Sequence, residues 1–265
     1  MAHIVGIHGI WNNRSARAQM HEEWLAAITR GLKNVRSAHT DTLTFESAFY
    51  GHEYNDGKAS DDPHYTEADL DEGFETEFAE AMAATLPDET DGHKGGRDAL
   101  IRLVNCDLAE GVMSRLVGFI KQVRRYLEDD EFRRLVHAEV SNAMETRPQV
   151  VIGHSLGSVI AYDWLQRNRP DEPPALITIG SPLGYETIRK QLHQPMDRSR
   201  WPDGARTWTN IAAGLDPVAL VKDLAPLFHP DIEDLPCTNR LPNPHSALQY
   251  LDNVWTSKRI DKALS

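Results

Sequence analysis

The chain is poor in cysteine, in clustered positive charge and in long apolar runs. Only two of its 265 residues are cysteine, Cys106 and Cys237. That is too few for a disulfide framework, and both are read as reduced thiols, with a single bridge as the alternative. Lysine and arginine total 28 against 40 acidic residues, a net charge of −12. No basic stripe exists to neutralise phosphates, so no nucleic-acid partner is expected, nor electrostatic attraction to anionic membranes. No apolar run approaches the ~20 residues of a membrane span, so no transmembrane segment is expected. Twelve histidines are present, yet neither H-x-x-x-H nor C-x-x-C spacing occurs. Neither a metal nor a cofactor is therefore expected. The opening "MAHIVGIHG" lacks a basic stretch followed by an apolar one. It reads as a core strand, with the cytoplasm as the expected compartment. Nothing in the composition fixes an oligomeric state.

What is present is an alternation of strands and helices. "HIVGIH" (3–8) is a short apolar strand, and "SARAQMHEEWLAAITRGL" (15–32) is a helix capped by Ser15 and ended near Gly31. "TLTFESAFYG" (42–51) alternates as a second strand, followed by a polar loop over 52–65. Three helical patterns come next. The first carries Leu70, Phe74, Phe78, Met82 and Leu86 behind a Thr66 cap, the second runs from Ile101 to Leu127, and the third from Phe132 to Met144. From Pro148 the buried-strand pattern returns in "QVVIG", "ALITIG" (175–180) and "RTWTNIAAG" (206–214), with helices between. A proline-rich stretch over 217–244 reads as loop, and "HSALQYLDNVWTSKRIDKAL" as one C-terminal helix. The expected fold is α/β, one domain over 1–265. Its sheet is mostly parallel with helices on both faces, and residues 52–148 form an all-helical insertion, a cap or else a layer packed over the sheet edge. Lys121, Arg124 and Arg125 give the second inserted helix a basic end. That end is either a solvated face or a surface that meets lipid or an anionic substrate.

One stretch carries chemistry. In "VVIGHSLGSVIAYDWL" (150–165) an apolar strand meets Gly153-His154-Ser155-Leu156-Gly157 and leaves as a helix. G-x-S-x-G in that context predicts a strained turn that lifts the Ser155 hydroxyl above the sheet at a helix N-terminus. The flanking glycines are expected where a Cβ would strike the strand and helix backbones. A serine hydroxyl needs a base, and the base needs an orienting acid. "NIAAGLDPV" supplies Asp216 just past a strand and "NPHSALQYL" supplies His245 at a helix start. Asp223, Asp231, Asp234 and His229 compete, but they lie in the proline-rich segment and read as solvated loop groups. The first strand ends "GIHGIW", which would bring the N–H of Ile10 beside the N–H of Leu156 as an oxyanion hole. His8 reads as structural, as do Ser158 and Ser181. Trp11, His154, Phe119 and Ile120 are candidates for the substrate pocket.

Together "IVGIHGI", "VVIGHSLGSVIA", "LITIGSP", "GLDPV" and "NPHSALQYL" resemble the α/β-hydrolase superfamily, and within it the lipase-like serine esterases. The resemblance covers 3–50 and 149–262. It implies a serine hydrolase that cleaves carboxylic esters, lipid esters among them, through an acyl-enzyme. Ser155 would be the nucleophile, His245 the base and Asp216 the acid. A thioesterase, acyltransferase or amidase with the same triad is the alternative, and a low-turnover binding or signalling module a second. The expected partner is a small-molecule or lipid ester. The family's sheet normally has eight strands, two of them ahead of the His-Gly strand, so a trimmed sheet is expected here.

Overall fold

The computed structural model describes residues 3–9, 17–54, 65–83, 112–192, 200–241 and 243–265. Its centre is a six-stranded sheet, parallel throughout: β1 (Ile4–Ile7), β2 (Phe45–Ala48), β3 (Val150–His154), β4 (Ala175–Ile179), β5 (Thr207–Ala213) and β6 (Glu233–Cys237), in the order β2-β1-β3-β4-β5-β6. The order reverses once. From β1 the chain steps outward to β2, then returns to the far side of β1 as β3. In open parallel sheets, the carboxyl edge at such a reversal is where a crevice forms and where ligands bind. Ser155, directly after β3, stands at that edge.

The strands are apolar on both faces because helices cover both. Ile4, Val150, Ile152, Ile177, Ile179 and Ile211 join one core. Against it pack α1 (Arg17–Asn34), α7 (Ala247–Leu251) and α8 (Val254–Leu264). Val5, Ile7, Val151, Leu176 and Trp208 join the opposite core. Its helices are α4 (Asp130–Met144) and α5 (Leu156–Arg167), with α2 (Phe74–Ala83), α3 (Val112–Glu128) and α6 (Glu186–Leu192) completing that side.

The helices between β2 and β3 are tied to the sheet layer. α4 lies on β1 and β2, while α3 packs between α2, α4 and α6. A buried polar cluster joins them to α5. Tyr126 of α3 donates its hydroxyl to Asp163 Oδ2 at 2.9 Å, His137 of α4 lies 3.3 Å from the same oxygen, and Arg167 donates to Oδ1 at 2.7 Å. Burial alone would raise the Asp163 carboxyl, but His137 and Arg167 outweigh it and hold the group at about 2. The basic end of α3 turns inward as well. Lys121 and Arg124 reach the buried Glu75 of α2 at 2.8 and 3.3 Å. Both side chains are part-exposed, and their ion pairs to Glu75 tie α3 to α2.

Thr66 caps the short 3-10 turn Glu67–Asp69 and Leu70 is extended, so α2 starts only at Phe74; three further differences from expectation stand beside it. Gly31 lies inside α1, which runs on to Asn34. A Cβ there would stand 2.3 Å from Ser257 Oγ and 3.1 Å from the Leu251 carbonyl, so this glycine serves the close approach of α7 and α8. The C-terminal helix is two helices, with Asn253 accepting from the Trp255 N–H to start the second. The third difference is β6, which occupies part of the stretch read as loop. Its sequence EDLPC has no apolar alternation, and Pro236 argues against a central strand. At the sheet edge both features are tolerated, since only one flank is paired. Ser15, Leu86 and Ile101 to Glu110 lie outside the described residues. No helix among the described residues is long and apolar enough to cross a membrane.

Candidate active site

The strand-to-helix turn after β3 explains its own sequence. Ser155 sits at φ 55° and ψ −128°, a conformation L-residues rarely hold, and it serves as the N-cap of α5. The turn is that sharp because α5 packs back directly on β3 and β1. A Cβ on Gly157 would lie 2.1 Å from the Ile7 carbonyl oxygen, and one on Gly153 would lie 2.6 Å from the Gly157 carbonyl oxygen. Backbone cannot yield to such contacts, so both positions exclude any side chain. The Ser155 N–H donates to the Ile179 carbonyl at 3.1 Å, which locks the elbow to β4. Ser158 Oγ donates to the Ser155 carbonyl at 2.6 Å and lies 2.7 Å from Ser181 Oγ. These two hydroxyls therefore brace the turn.

Two distant segments converge on the serine. His245 Nε2 lies 2.9 Å from Ser155 Oγ, and His245 Nδ1 lies 2.9 and 2.8 Å from the two Asp216 carboxylate oxygens. Ser155 and Asp216 are 0 % exposed and His245 is 6 % exposed, so bulk water scarcely screens the row. A carboxylate buried this deeply would ordinarily be driven neutral. Burial does push Asp216 up, but His245, the Tyr250 hydroxyl and the Val218 N–H outweigh it and hold the carboxyl down at about 2. The loop that carries it is tied at several points. Asp216 Oδ1 accepts from the N–H groups of Val218 and Ala219 at 2.8 and 3.3 Å, and Lys222 Nζ donates to the carbonyls of Ala213 and Ala219 at 2.6 and 2.5 Å.

The alternative acids stand elsewhere. Asp231 is exposed and faces His229 at 3.7 Å. Asp234 is not a solvated loop group. It lies on β6 and accepts from the backbone of Leu224 and Ala225 and from Asn210, which fastens the loop after β5.

His154, a sequence candidate for the substrate pocket, is buried. It projects toward Trp24 and α7, its ring centroid 4.7 Å from that of His245 and 6.4 Å from that of Trp24. Its Nε2–H donates to the His245 carbonyl at 2.9 Å, so it braces the main chain of that residue. Burial, with the nearby His245 adding to it, lowers its pKa to about 3. His8 is likewise neutral. The Tyr50 N–H donates to its Nε2 at 3.2 Å, which leaves the proton on Nδ1 for the Gly9 carbonyl. Burial takes its pKa down to about 4. The turn it opens passes close to Ser155, since a Cβ on Gly9 would lie 2.6 Å from Ser155 Cβ.

Leu156 is the first residue of α5, so its N–H is among the helix-start amides that find no acceptor within the helix. Ile10 and Trp11 lie outside the described residues. Phe119 and Ile120 are fully buried. They face α2, α4 and α6 in the core, with Phe119 5.8 Å from Phe78, which in turn meets Tyr185 edge-on at 5.1 Å.

Two contributors escaped the sequence reading. Tyr250 donates its hydroxyl to Asp216 Oδ2 at 2.7 Å, although its position in α7 reads as ordinary helix packing. Gly180, at φ +56°, lies under the triad, where a Cβ would come within 3.2 Å of Asp216, Tyr250 and His245. The strand-end "GSP" was the available signal for it.

Other places on the molecule offer less chemistry. A cleft of about 750 Å³ opens at the amino ends of β4, β5 and β6, between Trp201, Arg206, His229 and Lys262. It lies at the end of the sheet opposite the serine. Among the described residues, His52, Glu53 and Glu139 bring ligand atoms within 4.8 Å of one another and could hold a metal ion. His52 already meets Glu53 at 2.9 Å. No protein-family model, no curated protein and no solved structure matches this chain.

Proposed function

We propose that this chain is a serine hydrolase that cleaves carboxylic esters, lipid esters among them, through an acyl-enzyme intermediate. One observation supports the reading above the others. A hydroxyl at a strained strand-to-helix turn, an imidazole and a buried ionised carboxylate stand in a hydrogen-bonded row of 2.9 and 2.8 Å. Such a row turns a weak nucleophile into an effective one. Ser155 Oγ attacks the ester carbonyl while its proton passes to His245 Nε2. Asp216 holds Nδ1–H and stabilises the imidazolium. The N–H of Leu156 receives the developing oxyanion at the positive end of α5. His245 then hands its proton to the departing alcohol, and a water molecule repeats the sequence to free Ser155.

The test is a panel of p-nitrophenyl esters of graded acyl length, with matched thioester and anilide substrates. The proposal expects ester turnover with an initial burst close to one equivalent. Ser155→Ala should lower turnover by about 10³-fold or more. Equal rates in Ser155→Ala and wild type would overturn the reading. Preference for the thioester or anilide would move the assignment to another acyl bond.

A further inference from the structure

Asp216 has more donors than a triad requires: the N–H groups of Val218 and Ala219 on Oδ1, and the Tyr250 hydroxyl on Oδ2. That hydroxyl accepts from the Ala213 N–H at 2.8 Å and donates to Asp216 Oδ2 at 2.7 Å. With the lone pair used by Ala213, the single phenolic proton is committed to the carboxylate. The ring is 0 % exposed, so no water competes for it. Oδ2 also receives His245 Nδ1 at 2.8 Å. One oxygen therefore serves two donors, both carried by the segment 245–250.

We infer that Tyr250 is a positioning residue that shares the charge of Asp216 with His245 and so makes the imidazole a weaker base than an unshared carboxylate would. The inference rests on the triad reading above. The argument is one of competition. When His245 takes a proton, its bond to Asp216 shortens and strengthens, drawing carboxylate charge away from the phenol. The Tyr250 hydrogen bond weakens in that state and is strongest when the imidazole is neutral. A donor that favours the neutral state eases return of the proton to the leaving group, which general acid catalysis requires. Burial and the Asp216 charge both press the Tyr250 hydroxyl to keep its proton, so it acts as donor throughout.

Other titratable groups among the described residues stand around the pair. Lys222 stands 3.5 Å from the Asp216 carbonyl, Cys237 at the end of β6 feels the Asp216 charge, and His154 stacks near His245, with His8 beyond it. None of the hydrogen bonds of the described residues joins these four to the Asp216 carboxylate oxygens, so Tyr250 is the side chain positioned to modulate them directly.

The experiment is a ¹⁵N-histidine NMR titration of wild type and Tyr250→Phe, with His245→Gln to assign the resonance. Catalytic rate–pH profiles are recorded on the same samples. Sharing predicts that Tyr250→Phe raises the midpoint of His245 protonation by about half to one pH unit, with the acidic limb of kcat/KM following it. If Tyr250 merely held Asp216 in place, its loss would let the carboxylate drift from the imidazole, and the midpoint would fall. An unchanged or lowered midpoint overturns the inference. Tyr250→Phe strands the Ala213 N–H and is checked for folding. Should it fail to fold, 3-fluorotyrosine at position 250, a stronger donor, must lower the midpoint, and a rise or no change overturns the inference equally. Because the titration needs no turnover, inactive but correctly titrating protein would overturn the hydrolase reading and leave the charge sharing intact.

Discussion

At the scale of single residues, the site is built from groups that are costly to bury and are made tolerable by their partners. Asp216 remains ionised with 0 % exposure because several donors surround it. His8 and His154 meet the same burial differently, by staying neutral. The consequence is a defined acid sensitivity. Their ordinary value of 6.5 falls to about 4 for His8 and about 3 for His154 in the folded state. Below 6.5 the unfolded chain takes up two protons that the folded chain refuses. Stability is therefore lost as pH falls from 6.5 toward 4, by up to about 1.4 kcal/mol per pH unit for each histidine. Asp216 and Asp163, both held at about 2 against 3.8, add a further loss only below about 3.8. Urea midpoints measured between pH 7 and 4.5 check this. Wild type should weaken steadily, and His154→Gln should show a shallower slope. A flat profile across that interval would show that neither imidazole is held neutral.

At the scale of elements, the sequence was legible wherever a strand had to be buried on both faces. β1, β3, β4 and β5 are dense in Val, Ile, Leu and Ala, and their ends bracket the elbow and the acid. β6 was not legible, because an edge strand escapes the need for apolar residues that identifies a central one. The catalytic candidates could be read because glycine, serine and proline mark tight turns. Tyr250 could not, because nothing in helical periodicity distinguishes a packing tyrosine from one that donates into a triad. The inserted helices were legible as helices. Phe119 is fully buried in the core that α3 shares with α2, α4 and α6. Phe119→Ala should cost about 3–5 kcal/mol of stability through the cavity it leaves, with the acyl-length preference of the folded fraction unchanged. Denaturation curves and the graded ester panel check both halves. A shift in chain-length preference without loss of stability would return Phe119 to the substrate pocket.

At the scale of the whole molecule, the site belongs to the sheet rather than to any segment. Ser155 and His245 are 90 residues apart and His245 and Asp216 are 29 apart, yet all three meet at one carboxyl edge. That edge lies where the strand order reverses between β1 and β3, beside the start of α5. No local fragment could assemble the row, so the chemistry should appear and vanish with the cooperative fold. The net charge of −12 is compatible with a neutral acyl substrate, which needs no electrostatic guidance to reach the crevice. The most direct measurement is the intact mass of the folded protein after treatment with a fluorophosphonate, followed by peptide mapping. The account predicts a single phosphonyl adduct on Ser155, absent from Ser155→Ala and lost when the protein is unfolded before treatment. No adduct on the native protein, or one that persists in Ser155→Ala, would contradict it.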